Sequence, residues 1–205
     1  EDLKINNFND HYRIEVSFNF GTAFAINNQE ELQKMPFSVG VEYRTLRSFR
    51  RWYSLGLGLN LGVVEYNYSH DASNPVATYC QLSSTAEKEM LDHSRLGLEF
   101  FQRIRLMPGG SMTHQGLYWD LGLFADWNHF QFVRNEVFAT GNYAASSSTY
   151  EGLSCFDKPW SFGVTTRLGY DIWTIYGRYR FSHNGTDGNL NMAPRRLELG
   201  FMFNF

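Results

Sequence analysis

Long hydrophobic runs are missing from this sequence. No stretch approaches the roughly 18 consecutive apolar residues of a membrane-crossing helix, and the mean hydropathy is negative. That argues against helical spans but not against membrane strands, whose alternation averages away in such a count. Lysine is almost absent: only Lys4, Lys34, Lys88 and Lys158 occur, each at a terminus or between the patterned segments described below. Proline is limited to five residues and cysteine to two. The formal net charge is only −3, so the basic footprint of a nucleic-acid binder is lacking and no such partner is expected. No repeat of roughly 20–50 residues recurs, which removes propellers. No signal peptide is visible at Glu1, which fits a mature, processed chain as well as a cytosolic one.

What is abundant points to β-structure. Aromatic residues make up 17% and glycines number 18, while helix formers do not dominate, so an all-β chain of one domain is expected. Period-two alternation marks eight segments. The plainest, His11 to Phe20, sets Tyr12, Ile14, Val16, Phe18 and Phe20 against Arg13, Glu15, Ser17 and Asn19. The second, from Phe37, sets Val39, Val41 and Tyr43 against Gly40, Glu42 and Arg44. The third runs from Tyr53 to Val63; through Val64 to Tyr68 its phase is disturbed, which reads as a projecting strand with a bulge. The fourth, about 92–106, has Arg95, Glu99 and Arg103 on its polar side, and Gln102 interrupts its apolar one. Asp120 and Asp126 mark the polar side of the fifth (Leu117–Trp127), Arg167 that of the sixth (Trp160–Tyr170), and Arg178 and Arg180 that of the seventh (Trp173–Phe181). The last sets Leu197, Leu199, Phe201, Phe203 and Phe205 against Arg196 and Glu198.

The connections alternate in length. Leu46–Arg51, Met107–Ser111 and the turn at Asp171 are short, whereas 21–35, 69–90, 128–158 and the loop through Asn184–Gly188 are longer. An even-stranded antiparallel membrane barrel has that rhythm, with short periplasmic turns, long extracellular loops and both termini periplasmic. Residues 1–10 then read as a polar lead-in and 11–205 as the barrel domain.

Alternation does not say which face is inside, and a soluble lipocalin-like barrel would have an apolar interior. Three features oppose that. The polar face is rich in glycine (Gly40, Gly56, Gly58, Gly62, Gly97, Gly122), which makes room in a narrow lumen. It mixes arginine with carboxylates, the pairing suited to enclosed sites. Aromatics gather at strand ends: Tyr12, Tyr53, Trp119, Tyr170, Trp173 and Phe205 at one, Phe18, Phe20, Phe37, Trp127, Trp160 and Phe181 at the other. Two such girdles flanking an aliphatic band are what a bilayer favours.

With these eight segments and the C-terminal Phe205, the chain resembles the small OmpA/OmpX-type outer-membrane barrels of Gram-negative bacteria, and less specifically the PorT-like barrels. The resemblance covers residues 11–205 and departs from OmpA in having no C-terminal peptidoglycan-binding domain. It implies contact with outer-membrane lipid and lipopolysaccharide. It also implies insertion by the barrel-assembly machinery, for which Phe201, Phe203 and Phe205 would be the signal. The expected role is a structural or accessory subunit alongside other outer-membrane proteins. An OmpX-like extracellular binding or adhesion barrel, or a narrow small-solute channel, are the alternatives. No enzyme and no cofactor are expected.

The expected luminal charge network is Arg13, Glu15, Glu42, Arg44, Arg95, Glu99, Arg103, Asp120, Arg167, Arg178, Arg180, Arg196 and Glu198. It could be an ion path. An eight-stranded barrel, however, is just wide enough for side chains to fill, and unpaired buried charge is costly, so a structural plug is the stronger reading. Cys80 and Cys155 fall in long loops where an oxidising compartment favours a disulfide, a reactive free pair being the alternative. The six histidines show no metal-ligand spacing. Neither His70–Asp71 nor His93–Asp92 makes a ready dyad, because strand neighbours face opposite ways. Gly56-Leu57-Gly58 begins like a dinucleotide fingerprint, but Leu61 stands where the third glycine belongs.

Overall fold

A computed structural model describes residues 12–24, 36–68, 88–111, 114–140, 143–152, 159–182 and 196–205. The lead-in, His11, His70, Cys80, Cys155 and His183 lie outside the described residues. Nine strands follow in order: β1 (Tyr12–Phe24), β2 (Phe37–Arg50), β3 (Tyr53–Tyr68), β4 (Lys88–Ser111), β5 (His114–Thr140), β6 (Tyr143–Gly152), β7 (Trp160–Tyr170), β8 (Trp173–Arg180) and β9 (Leu197–Asn204).

Eight of them close an antiparallel barrel. β1 to β5 pair in sequence, β5 pairs onward to β7, β7 to β8, β8 to β9, and β9 returns to β1. β6 stands outside the ring as a hairpin on the far half of β5. The register fixes the stagger. Starting at Arg47 on β2, successive partners are Leu55, Gln102, Leu121, Thr166, Gly177, Leu199, Thr22 and then Phe37, again on β2. One circuit thus moves from residue 47 to residue 37, a shear of ten residues, which tilts eight strands by roughly 40°.

One rim, the turn end, holds the 51–52 and 171–172 turns together with Tyr12 and Phe205. Asp171 takes a left-handed φ of 54° in the tight β7–β8 turn, a conformation that Asp and Asn tolerate better than other side chains. At the opposite, distal rim the strands outrun the lengths expected from alternation. β1 continues to Phe24, so Phe18 and Phe20 belong to the middle of the strand, not to a distal girdle. β3 and β4 stay in one unbroken register from Tyr53↔Ile104 to Tyr68↔Glu89. There is no bulge at Val64–Tyr68: Val64 and Tyr66 are simply inward-facing apolar residues, both buried. The register shifts fall instead near the turn end, between Ser48 and Arg50, Arg105 and Met107, and Pro108 and Ser111. Most of 128–158, read from sequence as irregular, is the upper half of β5 and its partner β6.

Burial assigns the faces. Ile14, Leu98 and Phe205 are 62%, 65% and 75% exposed, whereas Arg44 and Asp120 are 0% exposed. The outside is apolar and the inside charged. Between Trp119 and Trp127 on β5 the apolar band stands about 20 Å tall at this rise and tilt, close to the roughly 25 Å band of membrane barrels.

Candidate functional site

The lumen is filled in three layers. Nearest the turn end, Arg103 lies between two carboxylates. It donates from Nη1 to Glu15 Oε1 (2.6 Å), from Nε to Asp120 Oδ1 (2.7 Å) and from Nη2 to Asp120 Oδ2 (2.7 Å). Arg44 bridges the same pair, 3.1 Å from Glu15 and 3.3 Å from Asp120, and also donates to Ser17 Oγ (3.0 Å) and Asn204 Oδ1. Arg13 joins from the rim, its Nε 3.0 Å from Glu15 with the side chain 30% exposed. The four fully buried charges, Arg44, Arg103, Glu15 and Asp120, balance, each with several partners, which is what burying them demands.

In the middle layer Arg167 donates to both oxygens of Glu99 (2.5 Å each) and to Glu42 Oε1 (2.7 Å), and Thr165 Oγ1 donates to Glu99. Two carboxylates thus share one guanidinium. Phe101 separates this layer from the first, its ring 5.9 Å from the Arg44 guanidinium and 5.8 Å from that of Arg167.

The distal layer holds two pairs. Arg95 forks onto Glu198, which also accepts from Tyr176 Oη (2.8 Å) and Ser38 Oγ (2.8 Å). Arg178 donates to both oxygens of Asp126 (2.9 and 2.7 Å) and lies 4.0 Å over the Phe124 ring. Arg180 is buried beside them, its backbone N–H donating to Arg196 O (2.9 Å), and Arg196 is part-exposed at the mouth. A cavity of about 30 Å³ remains among these groups, room for a water or two.

The luminal aromatics have a rule of their own. Phe101 faces Gly56 on one side and Gly122 on the other, Tyr118 faces Gly169, Phe124 faces Gly163, and Tyr176 faces Gly200. A Cβ on Gly56 or Gly169 would collide with the ring opposite. These glycines are sockets for rings, and the Gly56-Leu57-Gly58 run is part of a continuous strand, not a phosphate loop. Asp126 and Asn204 also belong to the network. Both sit on the polar side of their own alternation, the signal by which Asp126 and Asn204 could have been added to it.

On the outer wall, aromatic edges fasten the closing seam between β1 and β9. Phe205 meets Phe18 (6.0 Å between ring centres), and Phe203 meets Phe20 (6.2 Å) and Trp173 (4.5 Å). Phe201 is exposed on the same face. Asp92 points outward and His93 inward, where Nε2 lies 2.6 Å from Asn128 Oδ1, so the two do not form a dyad. Among the described residues no group of three or more His, Cys, Asp or Glu could hold a metal ion.

An even number of tilted antiparallel strands, an apolar band with aromatic borders and a charged, packed interior together make the architecture of a small outer-membrane barrel. No protein-family model and no curated protein sequence matches the chain. Among solved structures it is similar to Ail, the attachment invasion locus protein of Yersinia pestis (10% identity, 95% of this chain and 98% of that one, TM-score 0.38). It is also similar to a major outer membrane protein from Thermus thermophilus (15% identity, 94% of this chain and 100% of that one, TM-score 0.39). Ail has also been solved in complex with the heparin analogue sucrose octasulfate (11% identity, 95% and 98% covered, TM-score 0.36). The closed barrel itself rests on the pairing register above.

Proposed function

We propose that the chain is a non-enzymatic, integral outer-membrane barrel whose lumen is a side-chain plug. On this reading the turn end and both termini are periplasmic, and the protein serves as a structural or accessory subunit of a larger outer-membrane assembly. The observation that carries it is the inverted polarity: fully buried, multiply paired arginines and carboxylates inside a wall of exposed Leu, Ile, Val and Phe. An apolar belt of that extent is an aggregation liability in water and a solvent-matched surface in lipid. A plugged lumen leaves the wall and the distal extensions as the surfaces through which the barrel can act. Its partners would be outer-membrane lipid and lipopolysaccharide, the assembly machinery during insertion, and neighbouring outer-membrane proteins.

Purification in mild detergent tests this. Stoichiometric co-purification of other membrane proteins supports the accessory role, and a monodisperse monomer counts against it. A chain that stays folded and soluble without detergent would overturn the membrane reading itself. A disulfide between Cys80 and Cys155 is part of the proposal; a mass shift on alkylation without prior reduction would contradict it.

A second reading, an extracellular binding barrel, is favoured by one feature. β5 continues 13 residues beyond Trp127 to Thr140 and carries β6 with it, roughly 40 Å of paired strand past the apolar band. Loss of adhesion or ligand capture on trimming that hairpin, with the barrel intact, would select this reading.

A further inference from the structure

The luminal network makes no use of a group of arginines at the turn end. Arg47, Arg50 and Arg51 are exposed around the β2–β3 turn. Arg105 reaches into the same turn, donating to Arg51 O (3.2 Å) and Ser48 Oγ (3.2 Å). Glu15 and Asp120 are bound inside by Arg44 and Arg103. Among the described residues, Asp171 is the one remaining carboxylate side chain at this rim. The arginines stand among large exposed rings: Phe49 and Trp52 are 53% and 52% exposed, and the Arg47 guanidinium lies 5.5 Å from the Tyr12 ring and 5.4 Å from that of Phe49. Cations and rings mixed in this way suit a membrane–water boundary, with the stems along apolar surface and the charges in the headgroup layer.

The outer wall beside this cluster is not smooth. A groove of about 520 Å³ runs from Tyr53 past Leu55 and Gln102 to Leu121, Phe100 and Val164. Tyr53 connects the two features. Its ring packs against Trp52 (5.6 Å between centres), and its hydroxyl faces Gln102 Oε1 (3.5 Å) at the groove's polar foot. The groove therefore begins beside Arg50 and Arg51 and ends inside the apolar band.

We propose that cluster and groove form one binding site for an anionic phospholipid, with the phosphate held by Arg50 and Arg51 and one acyl chain lying from Tyr53 toward Val164; this rests on the membrane reading above. Guanidinium forks match phosphate oxygens in paired hydrogen bonds, and the exposed cations here are all arginine. The excess positive charge selects a lipid of net negative charge over a zwitterionic one, whose own cation it repels. A wholly apolar occupant would fill the groove but leave the arginines unanswered.

Native mass spectrometry of the detergent-purified barrel, titrated with phosphatidylglycerol or chain-matched phosphatidylcholine, reads the site. Phosphatidylglycerol should be retained roughly tenfold better, and the double variant Arg50→Gln/Arg51→Gln should bring it down to the phosphatidylcholine level. Val164→Trp, which fills the groove without touching the charges, should weaken both lipids. Equal retention of the two lipids, an unaffected double variant, or displacement of phosphatidylglycerol by millimolar inorganic phosphate alone overturns the proposal. Heat-modifiable gel mobility checks each variant for a folded barrel. A folded, detergent-solubilised barrel without lipid preference defeats this site and leaves the membrane reading standing.

Discussion

Arg103 is held on one face and along its edges: Glu15 and Asp120 accept from it, and its guanidinium lies 3.8 Å over the Tyr118 ring. Arg103→Ala would leave two wholly buried carboxylates sharing Arg44. Removing one partner of a buried network costs about 3–5 kcal/mol, so denaturant unfolding of this variant in detergent should show a loss of that order. A change below about 1 kcal/mol would mean that the network is not needed for stability. Glu42 is different, because the Arg167 that binds it also binds Glu99 through both oxygens. Glu42→Ala leaves Arg167 paired and relieves the crowding of two carboxylates on one cation, so it should cost clearly less than Arg103→Ala. The reverse order would contradict this division of the lumen. On the outer wall, Glu65 and Asp92 are direct cross-strand neighbours of like charge, a pairing that destabilises by roughly 0.2–1 kcal/mol. Asp92→Asn should therefore raise the unfolding midpoint slightly, and a lowered midpoint would show that the pair has a favourable use.

The seam between β1 and β9 is where the barrel closes, and its last residue is held on two levels. Phe205 exchanges backbone hydrogen bonds with Val16 (2.8 and 3.2 Å), and its ring meets Phe18 edge-on. Most of the seam register lies on the far side of that residue, from Ser17↔Asn204 to Phe24↔Leu197. Deleting Phe205 should thus cost the refolded barrel no more than about 2–4 kcal/mol while impairing insertion in cells; normal insertion would remove Phe205 from the assembly signal. The projecting hairpin is the opposite case, since no strand of the ring pairs with β6 except β5. Excising 133–150 should leave heat-modifiable mobility intact. The eight ring strands, their order and their two faces were legible in the sequence because each carries a period-two pattern long enough to read alone. Strand length was not, because inward apolar residues such as Val64 and Tyr66 mimic a slipped phase. The match of each luminal ring to a glycine was not legible either. Phe101 and Gly56 are 45 positions apart, and only the register between β3 and β4 makes them neighbours.

Taken as a whole, the barrel closes eight strands at a shear of ten, wide enough that its interior must be occupied and narrow enough that side chains alone can do it. The occupants come in layers that do not share cations: Arg44 and Arg103 with Glu15 and Asp120, then Arg167 with Glu42 and Glu99, then Arg95 and Arg178 with Glu198 and Asp126. Phe101 and the ring-in-glycine sockets sit among them. An ion crossing the lumen would have to part buried pairs in three successive layers, each desolvated and each tied to neutral side chains by further hydrogen bonds. Opening one layer leaves two barriers, so stability and permeability should respond differently to the same substitutions. Single changes such as Arg103→Ala or Phe101→Ala should lower the unfolding midpoint yet give no conductance steps in a planar bilayer. Small side chains placed in all three layers together, Arg103→Ala with Arg167→Ala and Arg178→Ala, should produce steps where the refolded protein survives. Large, regular steps from the unaltered barrel would defeat the plug, and with it the assignment of the arginines and carboxylates to structure instead of transport.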